Sequence, residues 1–147
     1  MTDLKLPSDR RVMRNLREIG LPEIPLFGAF KVLHAEVALP PHTHGDCMEI
    51  HFVKRGLQTF SAGEHVATLH AGDVHVTLPG EVHGTGGNPL GQGVLYWLQL
   101  RIPRRLRAWC GLDVSCAKAL IFRLMGMRVR HFRGSPRLAE LFEEMFM

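Results

Sequence analysis

At 147 residues, 46% hydrophobic and 22% charged, the chain is one domain by length and large enough to bury a core without disulfides or a structural metal. No apolar run approaches the roughly 20 residues that cross a bilayer. The start carries Asp3, Lys5, Asp9 and Arg10 in place of a signal peptide, so the expected compartment is the cytoplasm, with no membrane partner.

The net charge of +4 is unevenly spread, with ten Lys/Arg against four Asp/Glu from Arg101 onward and three against eight from Glu18 to Leu100. The basic tail shows no pattern of exposed aromatics among its charges and no recognisable recognition helix, so its charges read first as a solvated helix surface. Cys47, Cys110 and Cys116 are an odd set with no CxxC spacing, which argues against both a disulfide framework and a thiolate zinc cluster.

Taken in chain order, residues 1–27 form an N-terminal extension, closed by Pro22 and Pro25, which cannot lie inside a helix. A barrel of short strands follows over residues 28–103. Strands are predicted at Phe30 to Leu39, Met48 to Val53, Leu57 to Ser61, His65 to Leu69, Val74 to Leu78 and Val94 to Ile102, with Gly and Pro turns between them. Beyond Pro103 the period changes to about 3.6, and residues 104–147 read as a helical tail. Its helices are predicted at Arg104 to Cys110, Ser115 to Met127 and Pro136 to Met147, with Ser115 and Ser135 as N-caps and Pro136 in the first turn.

In the last helix Leu138, Leu141, Phe142, Met145 and Phe146 form one apolar stripe. The stripe suits packing on the barrel or pairing with a second subunit, and a homodimer through the C-terminal helices is expected.

The segment with the most chemistry runs from Pro40-Pro41 through His42-Thr43-His44-Gly45-Asp46 to Glu49. On an extended segment His42 and His44 point to one face, and the Gly45-Asp46 turn brings Glu49 back on the next strand. With His83 from a more distant strand, three imidazoles and one carboxylate could converge on a divalent ion with coordination positions left open. The set suits zinc, iron, manganese or nickel. His51 shares the parity of Glu49, and alternation puts Tyr96 opposite Trp97 and Gln99. His51, Tyr96, Trp97 and Gln99 are therefore candidate ligand-binding residues. Cys47 reads as a small buried side chain.

His42-x-His44, Glu49 and Gly56 resemble the first motif of the cupin superfamily, and Gly72, Gly80 and His83 fall at second-motif spacings. The sequence departs from it at Glu36, where the motif opens with Gly, at Pro79, one place late, and at Gly87-Asn88, where Asn has slipped by one. The resemblance implies an all-β fold, a double-stranded β-helix or jelly-roll barrel, here with C-terminal helices. His42 to Val53 with Gly56, Ala71 to Val74 through Pro79 to His83, and the helical pair after Pro103 are further similar to the N-terminal sensing domain of AraC-type transcriptional regulators. That implies a small-molecule effector in the barrel, dimerising helices, and DNA contact only through helix-turn-helix units absent from this chain. The stripe reaching Met147 is consistent with either a fragment of a longer regulator or a stand-alone sensing domain. The alternative is a metal-dependent cupin enzyme: a dioxygenase, isomerase or decarboxylase. No catalytic residue is assigned, since no separate acid/base pair is apparent.

Overall fold

A computed structural model describes residues 11–146. Residues 1–10 of the polar extension lie outside the described residues. Among the described residues the elements are β1 (Arg11–Arg14), a 3-10 turn (Leu16–Ile19), β2 (Leu26–Val32), β3 (Cys47–Ala62), β4 (His65–His70), β5 (Asp73–Thr77), β6 (His83–Gly84), β7 (Gly93–Arg101), α1 (Val114–Met125), β8 (His131–Arg133) and α2 (Pro136–Glu144). All pairings between these strands are antiparallel, in the order β1-β2-β7-β3-β5-β8, with β4 and β6 also on β3.

β3 closes the barrel because it belongs to both walls. Its first half pairs with β7 and β5, and its second half with β4 and β6. The two strands predicted on either side of Gly56 are thus one, bent at a register shift between Val53 and Arg55. Gly56 has φ 90°, and a Cβ there would lie 2.1 Å from the Gln92 carbonyl oxygen, so only glycine fits this crossing.

Alternation sorts the side chains into two environments. Met48 and Phe52 of β3, Tyr96 and Leu100 of β7, Phe27 of β2 and Val74 and Val76 of β5 face outward into the main apolar core, under the helices. Glu49, His51, Trp97, Gln99, His75 and Thr77 have the opposite parity, and Glu49, His51, Trp97 and Gln99 line a pocket inside the barrel.

The apolar stripe of α2 closes this outer core. Phe142 is buried and stacks on Phe27, Phe52 and Tyr96 at centroid distances of 5.9, 5.6 and 5.7 Å, and Phe146 lies 4.3 Å from Phe27. The stripe therefore packs on its own barrel; Leu141 alone among its residues is exposed.

Several predicted bounds are corrected. The strand expected at Phe30 to Leu39 runs from Leu26 to Val32, and Glu36 pairs with Leu90 in an isolated bridge outside the named strands. Arg104 to Cys110 is not helical: with Arg104, Arg105 and Arg107 in it, the segment has no sustained apolar face, and it ends in a tight reversal. There Trp109 and Leu112 exchange backbone hydrogen bonds of 3.0 and 2.9 Å across Cys110 and Gly111, both at positive φ. Trp109 is buried and its indole N–H donates to the Arg101 carbonyl at 2.8 Å. α1 is capped by Asp113, which accepts from Cys116 N, rather than by Ser115. Ser135 caps α2 and Pro136 stands in its first turn, as expected. β8 was not foreseen; its three exposed residues pair with β5.

Candidate metal centre and barrel pocket

His42 and His44 lie on the irregular segment before β3, Glu49 on β3 and His83 on β6. One ligand atom from each falls within 4.8 Å of the others. The segment holding His42 is fixed to β6 by backbone bonds: His42 and His83 exchange N–H···O=C bonds of 2.9 Å each, and Thr85 N donates to the Leu39 carbonyl at 3.2 Å. The turn expected at Gly45-Asp46 is present, with Cys47 N donating to the His44 carbonyl at 3.2 Å. The three rings face one another with centroids 4.3 to 5.1 Å apart.

The histidines are oriented by backbone carbonyls. His42 Nδ1 donates to the Pro40 carbonyl and His83 Nδ1 to the Glu81 carbonyl, each at 2.9 Å. This places the proton on Nδ1 and leaves Nε2 as the atom that could hold a metal, the kind of second contact that fixes ligand tautomers in metal proteins.

Glu49 is the hub. His83 Nε2 lies 2.9 Å from Oε2, His51 Nε2 3.3 Å from Oε2 and His44 Nε2 3.5 Å from Oε1, while Gln99 donates to Oε1 at 3.3 Å. Burial pushes the Glu49 pKa up, but the His51 charge and the hydrogen bonds from His44, His51 and His83 outweigh it and hold the carboxyl well below its usual range. Burial lowers the His83 pKa, and the Glu49 hydrogen bond with the Glu81 carbonyl more than offsets this, so the net shift is upward. A buried carboxylate that gathers imidazole protons around it is a set whose protons a divalent cation can replace. The donor chemistry, three nitrogens and an oxygen with two tautomers already fixed, fits a first-row divalent ion.

Above the cluster lies a cavity of about 170 Å³ with apolar walls that include Phe30, Leu39, Phe60, Leu95 and Trp97. His51, Trp97 and Gln99 line it. Phe60 stacks on His51 at 4.2 Å, and the Gln99 amide nitrogen sits 3.1 Å from His44 Nε2. Tyr96 does not reach the cavity; it is on the outer face of β7 against Phe142, and burial pushes its pKa up to about 12. Phe60 and Arg11 are among the lining residues that the sequence did not single out. Phe60 sits on the predicted strand Leu57 to Ser61, where its partnership with His51 leaves no local signal. Arg11, whose guanidinium lies 5.7 Å from the Phe30 ring centroid and 5.3 Å from that of Trp97, comes from a stretch read as an extension. Cys47 is buried, and burial together with Asp46 raises its thiol pKa.

A predicted oxalate decarboxylase from Thermotoga maritima superposes with a TM-score of 0.54 at 18% identity, covering 63% of this chain and 79% of that one. A cupin protein from Bacteroides fragilis gives a TM-score of 0.54 at 17% identity, covering 71% and 86%. At these identities the likeness establishes the cupin fold and nothing more. No curated protein matches the chain. Among the described residues no helix is long and apolar enough to cross a membrane. The family described as the AraC-like ligand binding domain matches residues 29–147, from the barrel through both helices. The chain belongs to the AraC-like ligand-binding domain family, sensing and regulatory domains, and carries it on a cupin barrel.

Proposed function

We propose that the chain senses a small-molecule effector in the barrel pocket, next to a divalent ion held by His42, His44, Glu49 and His83, and relays its binding to the C-terminal helices. The observation that carries this reading is the family match, which spans the barrel and the helical tail together. The ion, one of zinc, iron, manganese or nickel, would offer open positions to an effector oxygen. The chain's own residues do the rest: Pro40 and Glu81 carbonyls orient the imidazoles, Gln99 bridges His44 and Glu49, and His51, Trp97 and the apolar wall exclude water.

Relay requires that the effector bind one arrangement of the tail better than another. A physical link runs from the site to the tail. Arg130 donates to Glu81 at 2.7 Å, and its carbonyl accepts from Val76 N at 2.8 Å, so the chain between α1 and β8 is bonded to the loop that presents His83.

A homodimer through the C-terminal helices belongs to this reading. Since α2 is occupied by its own barrel, the pairing face is that of α1, where Phe122 is 80% exposed beside Leu106 and Met125. DNA contact would reside in helix-turn-helix units outside this chain, and the protein would work in the cytoplasm.

The competing reading is a metal-dependent cupin enzyme. Among the described residues, the ionisable groups that line the pocket besides Arg11 are His42, His44 and Glu49 of the cluster and His51, which Glu49 already engages, so none of them is a separate acid or base. Incubating metal-loaded protein with candidate metabolites under oxygen separates the two: binding without turnover is expected. Steady product formation abolished by Glu49→Ala would replace the sensor with the enzyme.

A further inference from the structure

Arg11 is placed where the sensing reading leaves it without a task. It opens β1, which pairs with β2 through Arg11 and Phe30, and its guanidinium lies over the Phe30 and Trp97 rings at the edge of the cavity. Among the described residues no carboxylate forms an ion pair with it. A guanidinium held over aromatic rings by cation–π attraction still has N–H groups to offer, and these match a carboxylate in two parallel hydrogen bonds.

The rest of the cavity selects the body of such a molecule. Its walls are apolar, and about 170 Å³ is close to the roughly 150 Å³ that accommodates a benzene-sized molecule. With a divalent ion bound by neutral imidazoles and the Glu49 carboxylate, the floor would carry a net positive charge and would favour an anion. An acid with a compact apolar body would satisfy the wall, the floor and the Arg11 guanidinium together.

We propose that the effector is a small monocarboxylic acid with an apolar body, and that Arg11 is the residue that reads its carboxylate. This rests on the pocket being the effector site, but Arg11 is not a metal ligand and its role is separable from the ion. Arg11 is exposed on a four-residue edge strand, so its replacement should leave the fold and the metal content unchanged.

The test is calorimetric titration of the metal-loaded protein, and of the metal-free protein, with benzoate, phenylacetate and hexanoate, and with the neutral benzamide as control. At least one acid should bind at least tenfold more tightly than its amide. Arg11→Gln should weaken that acid at least tenfold while leaving benzamide and metal content as in wild type, and Arg11→Lys should recover part of the loss. Equal affinity for benzoate and benzamide, no binding of any of the three acids, or an Arg11→Gln protein that keeps wild-type acid affinity would each overturn the proposal. If benzamide binds and Trp97→Ala abolishes it, the pocket is still an effector site and only the acid is lost. Acids that bind the metal-free protein through Arg11 would support the proposal with no need of the ion.

Discussion

Arg130 holds the carboxylate of Glu81 at 2.7 Å, while the carbonyl of the same Glu81 accepts from His83 Nδ1 at 2.9 Å. Glu81 also caps its own turn, accepting from Leu78 N at 2.8 Å. A residue of the C-terminal region thus sets the orientation of a candidate ligand on the barrel floor through a single intermediary. Arg130→Ala should therefore lower metal affinity by on the order of 10-fold, the usual scale for a lost contact behind a metal ligand. Competition with a chromophoric chelator measures it. Unchanged affinity would show that the Glu81 turn holds His83 without help from Arg130.

Phe142 should be the most sensitive residue of α2. It is 3% exposed and stacks on three rings, so Phe142→Ala should cost about 3–5 kcal/mol in denaturant unfolding. Leu141→Ala, at a 43% exposed position, should cost far less. Similar costs for the two would contradict the packing of this helix on its own barrel.

The pairing face is tested by Phe122→Glu. Phe122 is 80% exposed, so the change should leave stability nearly unaffected while converting a dimer to a monomer in sedimentation. A wild-type protein that sediments as a monomer at high concentration would remove the dimer from the account.

The acid limb of the stability curve should carry the mark of His75. It is buried, and burial together with the charges of His51, His131 and His83 lowers its pKa to about 3 from an ordinary 6.5. The folded state thus keeps His75 neutral where the unfolded chain would protonate it. Its contribution is fully present above about pH 6.5 and is lost as pH falls from there toward about 3. Stability of metal-free wild type and His75→Gln, followed between pH 7 and pH 4, should show a steeper decline in the wild type. Parallel curves would mean that His75 is protonated in the fold.

The sequence announced those features whose cause is local. Strand runs between Gly and Pro turns marked most of the barrel, and the spacing of His42, His44 and Glu49 set a turn between them that brings Glu49 back toward the two imidazoles. Alternation separated Tyr96 from Trp97 and Gln99, yet could not say which set faced inward. That depends on α2, whose Phe142 and Phe146 cover the Tyr96 side. The predicted helix at Arg104 to Cys110 gave way because Trp109, buried by distant partners, anchors a reversal instead. β8 has no apolar pattern of its own. Its position comes from pairing with β5 and from His131 and Arg133, which lie 3.2 and 3.5 Å from Asp73. Arg11 carried no signal either, since only the pairing of β1 with β2 sets it over Trp97.

The most direct test of the account is the metal content of the purified protein after equilibration with zinc, iron, manganese and nickel in turn. One ion per chain is predicted for at least one of the four. Glu49→Ala and His44→Ala should reduce it to background, and Tyr96→Phe, on the outer face of β7, should leave it unchanged. A folded wild-type protein that takes up none of the four would contradict the metal centre at the base of the pocket.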